Sequence, residues 1–185
     1  DLLESRGLGD VYKRQSKILY KRIGGRIYQR MSNRIVIIGA GSTNFGLGIV
    51  GDFFKSKILS GSTLVLHDIN PETLKNTYEI ALSYKEKLGV NFNIESTTSR
   101  SDALKMADFC LISIEVGNRF ELWEQDWKVP LQYGIKQVYG ENGGAGGLFH
   151  AMRQVPAIIK ICEDIEKICP EAFVFTYSNP MQRIC

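Results

Sequence analysis

The chain has 185 residues, 44% hydrophobic and 23% charged, the make-up of an ordinary globular protein of one domain and short for a two-domain enzyme. No run of about 18 apolar residues is present, so no membrane-spanning helix is expected. The charge of +3 divides unevenly: residues 1–30 carry eight Lys or Arg against three Asp or Glu, and the remainder is net −2, which gives no electrostatic case for nucleic-acid binding.

Residues 1–30 show neither helical nor strand periodicity and lack the apolar core of a secretory signal. The string Asp10-Val11-Tyr12-Lys13-Arg14-Gln15 resembles the in-frame translation of a transposon end used in sequencing libraries. The segment is therefore expected to be a non-native or disordered leader, with Met31 a natural start; an arginine-rich targeting arm is the rival reading. From there, Arg34–Gly39 is a β-branched run that predicts a buried parallel strand. Gly41-Ser42-Thr43-Asn44 leads into a helix around Phe45–Lys57, and Thr63–Leu66 is a second strand ending at His67-Asp68. Asn70-Pro71-Glu72 is a helix start, with a capping Asn, a first-turn Pro and an acid at the positive end. That helix is predicted to run to Leu88 and stop at Gly89. Asn91–Thr97 predicts a third strand, Ser101–Met106 a short helix and Asp108–Ile114 a fourth strand. Leu122–Tyr133 reads as a helix interrupted by Pro130, Tyr139–Gly147 as a glycine-rich loop, and Leu148–Cys169 as a long amphipathic helix. Ala172–Tyr177 is a fifth strand, closing at Ser178-Asn179-Pro180, where another helix should begin.

Alternating strands and helices build a doubly wound parallel sheet, because parallel strands need such crossovers. The expected fold is thus α/β and Rossmann-like over residues 31–185, truncated before a substrate domain. Four cysteines, Cys110, Cys162, Cys169 and Cys185, have no C-x-x-C spacing, so neither a disulfide scaffold nor a zinc site is expected and a reducing cytoplasm is the default.

Chemistry concentrates at the first turn. Gly39 permits a tight bend, Gly41 admits close backbone approach, and the following helix aims free N–H groups at an anion such as a pyrophosphate. The third glycine of G-x-G-x-x-G should stand at position 44, where Asn44 is found. Asp68 ends the second strand, where a carboxylate accepts hydrogen bonds from ribose hydroxyls and repels a 2′-phosphate. NAD is therefore favoured over NADP; a purely structural turn with Asp68 capping a loop is the bland alternative. His67 is expected to pack in the interior or a loop, and His150 to lie on a helix surface unless its ring faces a site. Trp123 and Trp127 share a helical face and, like Cys162 and Cys169, are expected in the core.

The segments Arg34–Phe45, Leu66–Asp68, Val116-Gly117-Asn118, 129–134, Gly144–Gly147 with Arg153–Pro156, and Tyr177–Met181 together resemble glycoside hydrolase family 4. The resemblance implies a cofactor domain like that of lactate and malate dehydrogenases in an enzyme that uses NAD and a divalent metal, usually manganese, in place of two carboxylates. In that chemistry C3 of the sugar is oxidised, a tyrosine removes the C2 proton while the metal stabilises the enolate, and the glycosidic bond leaves by elimination. The resemblance gives Gly39, Gly41, Ser42, Thr43, Asn44 and Asp68 the adenosine–pyrophosphate half of NAD, and Val116, Gly117 and Asn118 the nicotinamide ribose. It gives Asn179 the sugar hydroxyls, against a plain Asn-Pro turn, and Glu141 the tuning of the tyrosine base, against a solvated loop carboxylate. The metal-binding cysteine and histidine and the tyrosine are expected past Cys185, which itself follows Asn179 too soon to be a ligand.

The phosphoglycoside branch of the family carries an arginine seven residues before the proline that Pro130 matches; here Trp123 stands there and Arg119 lies out of register. Unphosphorylated α-glucosides, α-galactosides or uronides are therefore the expected substrates. The expected partner is a small sugar, with no nucleic acid or membrane, in a homo-oligomer when full length; the fragment alone is expected to be inactive. Two rivals stand beside this reading: a lactate/malate-type 2-hydroxyacid dehydrogenase, and a non-catalytic NAD-sensing domain.

Overall fold

The structure, a computed structural model, describes residues 20–23, 26–29, 32–42 and 46–185. Most of the expected leader, and Thr43, Asn44 and Phe45 of the first turn, thus lie outside the described residues. The chain divides into two units, Asp1–Ser32 and Asn33–Cys185. In the first, β1 (Tyr20–Ile23) pairs antiparallel with β2 (Arg26–Gln29). Strand pairing in this segment departs from the aperiodic reading of 1–30.

The second unit is built on a parallel sheet of β3 (Arg34–Ile38), β4 (Thr63–His67), β5 (Asn93–Thr97), β6 (Phe109–Ile112) and β7 (Phe173–Thr176). Their order is β5-β4-β3-β6-β7, so the chain winds outward from β3 to one side and then returns to add β6 on the other. Alternate residues of the inner strands feed two cores. Ile35, Ile37, Leu64 and Leu66 pack against Val50 and Phe54 of α1 (Gly46–Lys55) and Leu74 and Ala81 of α2 (Pro71–Leu88). Val36, Ile38, Val65, Cys110 and Ile112 pack against Ala103 and Leu104 of α3 (Arg100–Leu104) and Ile158, Ile161 and Ile165 of α5 (Gly144–Ile168). Two further helices, α4 (Arg119–Gln132) and α6 (Met181–Ile184), complete the unit. The predicted ends of α2 hold: Asn70 accepts from the N–H groups of Glu72 and Thr73, and Gly89 takes the left-handed conformation. Among the described residues no helix is long and apolar enough to cross a membrane.

Three expectations need correction. Pro130 does not interrupt its helix but sits inside α4, which starts at Arg119 and runs to Gln132. A proline there leaves the carbonyl four residues back without its helical donor; Gln137 Nε2 donates to that oxygen, on Asp126, at 2.8 Å. The glycines of 144–147 are not loop but the first turn of α5. They are there for clearance: a Cβ on Gly147 would fall 2.7 Å from the Asn142 carbonyl carbon, and one on Gly146 would lie 3.0 Å from Gln137 Nε2. Finally, Cys162 is exposed whereas Cys169 is buried. Cys169 follows the last helical residue with φ −141°, so it leaves the helix toward the sheet and the seven-residue spacing no longer fixes a shared face. All four thiols are free, and burial pushes that of Cys110 up to about 12.

Candidate functional site

The first turn is shaped by contacts that exclude side chains. Gly39 and Ala40 donate their N–H groups to the His67 carbonyl at 2.9 and 3.0 Å. Gly39 has φ +92°, and a Cβ on it would lie 1.9 Å from the Ser113 backbone oxygen. Gly41 donates its N–H to Asp68 Oδ2 at 2.8 Å; a Cβ there would meet Thr73 Oγ1 at 2.4 Å and Asp68 Oδ2 at 2.8 Å. The close-packing role assigned to position 44 falls to Gly46, whose Cβ would lie 2.0 Å from the Ala40 carbonyl oxygen.

Asp68 is half-buried and turned toward the bend. Its other oxygen accepts from the Asn70 N–H at 2.9 Å. An ionised carboxylate has about four acceptor positions, so capacity remains for two hydroxyls. Bare glycine backbone, a ten-residue helix behind it and this carboxylate fit the adenosine half of a dinucleotide. His67 faces the other way, buried, with Nδ1 2.9 Å from the Thr97 carbonyl oxygen, the packed role expected of it.

The second half of the site lies at the exits of β6 and β7. Ser178 ties them together: its Oγ accepts from the Ile114 N–H at 2.9 Å and donates to the Ile114 oxygen at 3.0 Å. Gly117 has φ +84°, and Asn118 heads α4 with no cap hydrogen bond from its side chain. Asn179 donates through Nδ2 to Glu141 Oε1. Glu141 is buried, which removes the solvated-loop alternative, and it also pairs with Arg119 at 3.3 Å. Arg119 in turn stacks 4.5 Å over the Trp123 ring. Trp123 and Trp127 pack edge-on against Tyr139 and lie outside the two main cores.

Glu115 and Gln154, to which the sequence reading gave no role, complete the picture together with His150, whose ring it allowed to face a site. Gln154 Nε2 donates to Glu115 Oε1, and His150 Nε2 stands 3.6 Å from the same oxygen. His150 is fully buried, not on a helix surface. The α5 stripe of Ala151, Ile158, Ile161 and Ile165 carries the signal, because residues 150 and 154 fall on it. Arg153 pins α5 to α4 through a two-pronged pair with the buried Asp126. Burial raises the Glu115 carboxyl above its ordinary value, opposed by His150 and Arg119 and aided by Glu141. Ligand atoms of Glu115, Glu141 and His150 lie within 4.8 Å of one another, a spacing that suits a cation. Glu141, however, is already committed to Arg119 and Asn179, so among the described residues this trio does not fit a resident metal.

The sequence profile described as family 4 glycosyl hydrolase matches residues 34–185. The chain belongs to glycoside hydrolase family 4. Within the family, an α-glucosidase of Erwinia rhapontici is 54% identical over 155 residues, covering 84% of this chain and 34% of that enzyme. The chain thus spans about a third of the length of that curated relative. A 6-phospho-α-glucosidase from gut microorganisms, solved in complex with NAD and Mn2+, superposes with a TM-score of 0.72 at 25% identity, over 80% of this chain and 33% of that one. A malate dehydrogenase of Plasmodium falciparum reaches a TM-score of 0.55 at 24% identity, over 80% of this chain and 37% of that one. The hydroxyacid dehydrogenases share the fold.

Proposed function

We propose that this family 4 chain is the NAD-binding part of a glycosidase that cleaves an unphosphorylated α-glycoside by redox-assisted elimination. The observation that carries the proposal is the Asp68 carboxylate, turned onto a glycine bend that has no room for a side chain. Gly39 and Gly41 shape the cradle for the pyrophosphate, with Ser42, Thr43 and Asn44 leading into the helix. Asp68 takes the ribose hydroxyls, and Val116, Gly117 and Asn118 flank the nicotinamide ribose. Bound NAD supplies a hydride acceptor for a sugar carbon. Asn179, with Nδ2 held by Glu141, offers its Oδ1 to a sugar hydroxyl. Glu141 places negative charge beside that hydroxyl, where a base must work, and its pairing with Arg119 fixes the direction of the carboxylate. A divalent metal belongs to this reading through ligands other than the residues described here.

Two observations favour an unphosphorylated sugar. By the family resemblance Trp123 stands where the phosphoglycoside branch carries its arginine, and the neighbouring Arg119 is engaged by Glu141. A phosphate would have to compete with that carboxylate for the guanidinium. A relative described as an α-glucosidase supports an α-glucoside as the substrate class. The intact gene product is expected to cleave p-nitrophenyl α-glucoside only with NAD and Mn2+ present, and to take up solvent deuterium at C2. Its kcat/KM for the 6-phosphorylated substrate should be lower by about 100-fold, the worth of a lost bidentate arginine contact. Cleavage that survives removal of both NAD and Mn2+ contradicts the proposal.

A further inference from the structure

Glu115 is the only charged residue between the end of β6 and Gly117. It follows β6 by three residues, and β6 flanks the point where the sheet order reverses. In open α/β sheets ligands enter at that crevice, beyond the carboxyl ends of the strands. The Glu115 side chain is 30% exposed, so its carboxylate faces outward while being gripped from behind. Gln154 donates to it and His150 stands beside it.

The grip is costly for folding. His150 and Gln154 are 1% and 0% exposed, and His150 Nε2 and Gln154 Oε1 have no hydrogen-bond partner. Unpartnered buried polar atoms and a half-desolvated carboxylate both weigh against the folded state. Apolar residues at 150 and 154 would simply extend the stripe of Ala151, Ile158 and Ile161 that α5 presents to the sheet. Burial raises the Glu115 carboxyl, as expected of a group placed for a ligand at the expense of stability.

The distribution of charge around Glu115 narrows the ligand. Glu141 has Arg119 in direct contact at 3.3 Å, whereas Glu115 has no arginine in contact among the described residues and feels Arg119 only at longer range, beside the His150 ring. Its negative charge is therefore the less neutralised of the two and lies next to Val116, Gly117 and Asn118, the residues the proposed function sets beside the nicotinamide ribose. The nicotinamide ring is cationic in NAD+ and neutral in NADH, and the rest of the two molecules is the same. A carboxylate near the ring attracts only the oxidised form.

We propose that Glu115 makes this site select oxidised over reduced NAD, with Gln154 and His150 as the positioning residues that hold the carboxylate in place. The inference rests on the cofactor reading above, and the two fail separately. The full chain is titrated at low salt with NAD+ by calorimetry and with NADH by nicotinamide fluorescence, for the wild type, Glu115→Gln, Glu115→Asp and Asp68→Asn. The wild type should prefer NAD+. Glu115→Gln should weaken NAD+ binding by about tenfold and leave NADH within about twofold, because only the Coulombic attraction to the ring is removed. Glu115→Asp keeps the charge and should keep the preference, which separates charge from folding damage. Asp68→Asn, acting at the ribose common to both forms, should weaken both alike. If Glu115→Gln changes both affinities equally or neither, selection by Glu115 is overturned while NAD binding stands. If the wild type binds neither form, the cofactor reading falls and this inference with it.

Discussion

Gly39→Ala is expected to destabilise the 33–185 unit by about 4 kcal/mol, near the upper end for a single substitution. Two costs add. The residue sits at φ +92°, where a side chain costs about 1–3 kcal/mol. The new methyl would also meet the Ser113 backbone oxygen at 1.9 Å, and β3 and β6 are hydrogen-bonded neighbours, so neither strand gives way without losing ladder contacts. Gly48→Ala is the control. It lies inside α1, and a methyl group there would have no neighbour within 4 Å, so alanine should stabilise by about 0.5–1 kcal/mol. Urea unfolding of both variants beside the wild type reads the difference. Equal stabilities for the two variants would mean the bend is not held against Ser113 as described.

The second large effect is on binding. Asp68→Asn is expected to weaken NAD affinity by about 100-fold, since two hydroxyls each exchange a hydrogen bond to a charged acceptor for a neutral one, at a loss of about 1–1.5 kcal/mol apiece. Asn retains one acceptor oxygen of similar reach, so either the Gly41 or the Asn70 N–H keeps its partner and the turn should survive. Circular dichroism and the melting transition should therefore change little while the binding isotherm collapses. An isotherm that matches the wild type would place the ribose elsewhere.

Much of this was legible in the residues. The β-branched run of β3, the glycines after it and the acid at the tip of β4 defined strand, bend and carboxylate in order, and Asn70 and Gly89 marked both ends of α2. What escaped depended on contacts distant in sequence. Asn44 disguised the motif because the close approach to Ala40 belongs to Gly46, two residues further on. Pro130 suggested a break, since nothing local announces that Gln137 will satisfy the Asp126 carbonyl. Gly144 and its neighbours resembled a loop, although they are small because Gln137 and Asn142 press on the helix start. Glu115 and Gln154 are 39 residues apart, and no periodicity joins a strand exit to a helix stripe. His150 was nearer to being readable, because the buried face of α5 passes through it.

Cofactor binding of the proposed kind requires that the carboxylate of Asp68 serve an unphosphorylated ribose. Calorimetric titration of the chain with NAD and with NADP, side by side at one ionic strength, tests that most directly. NAD should bind, and NADP should bind at least about tenfold more weakly, because its 2′-phosphate is brought against Asp68. Absence of NAD binding, or NADP binding as tight as NAD, would contradict the account.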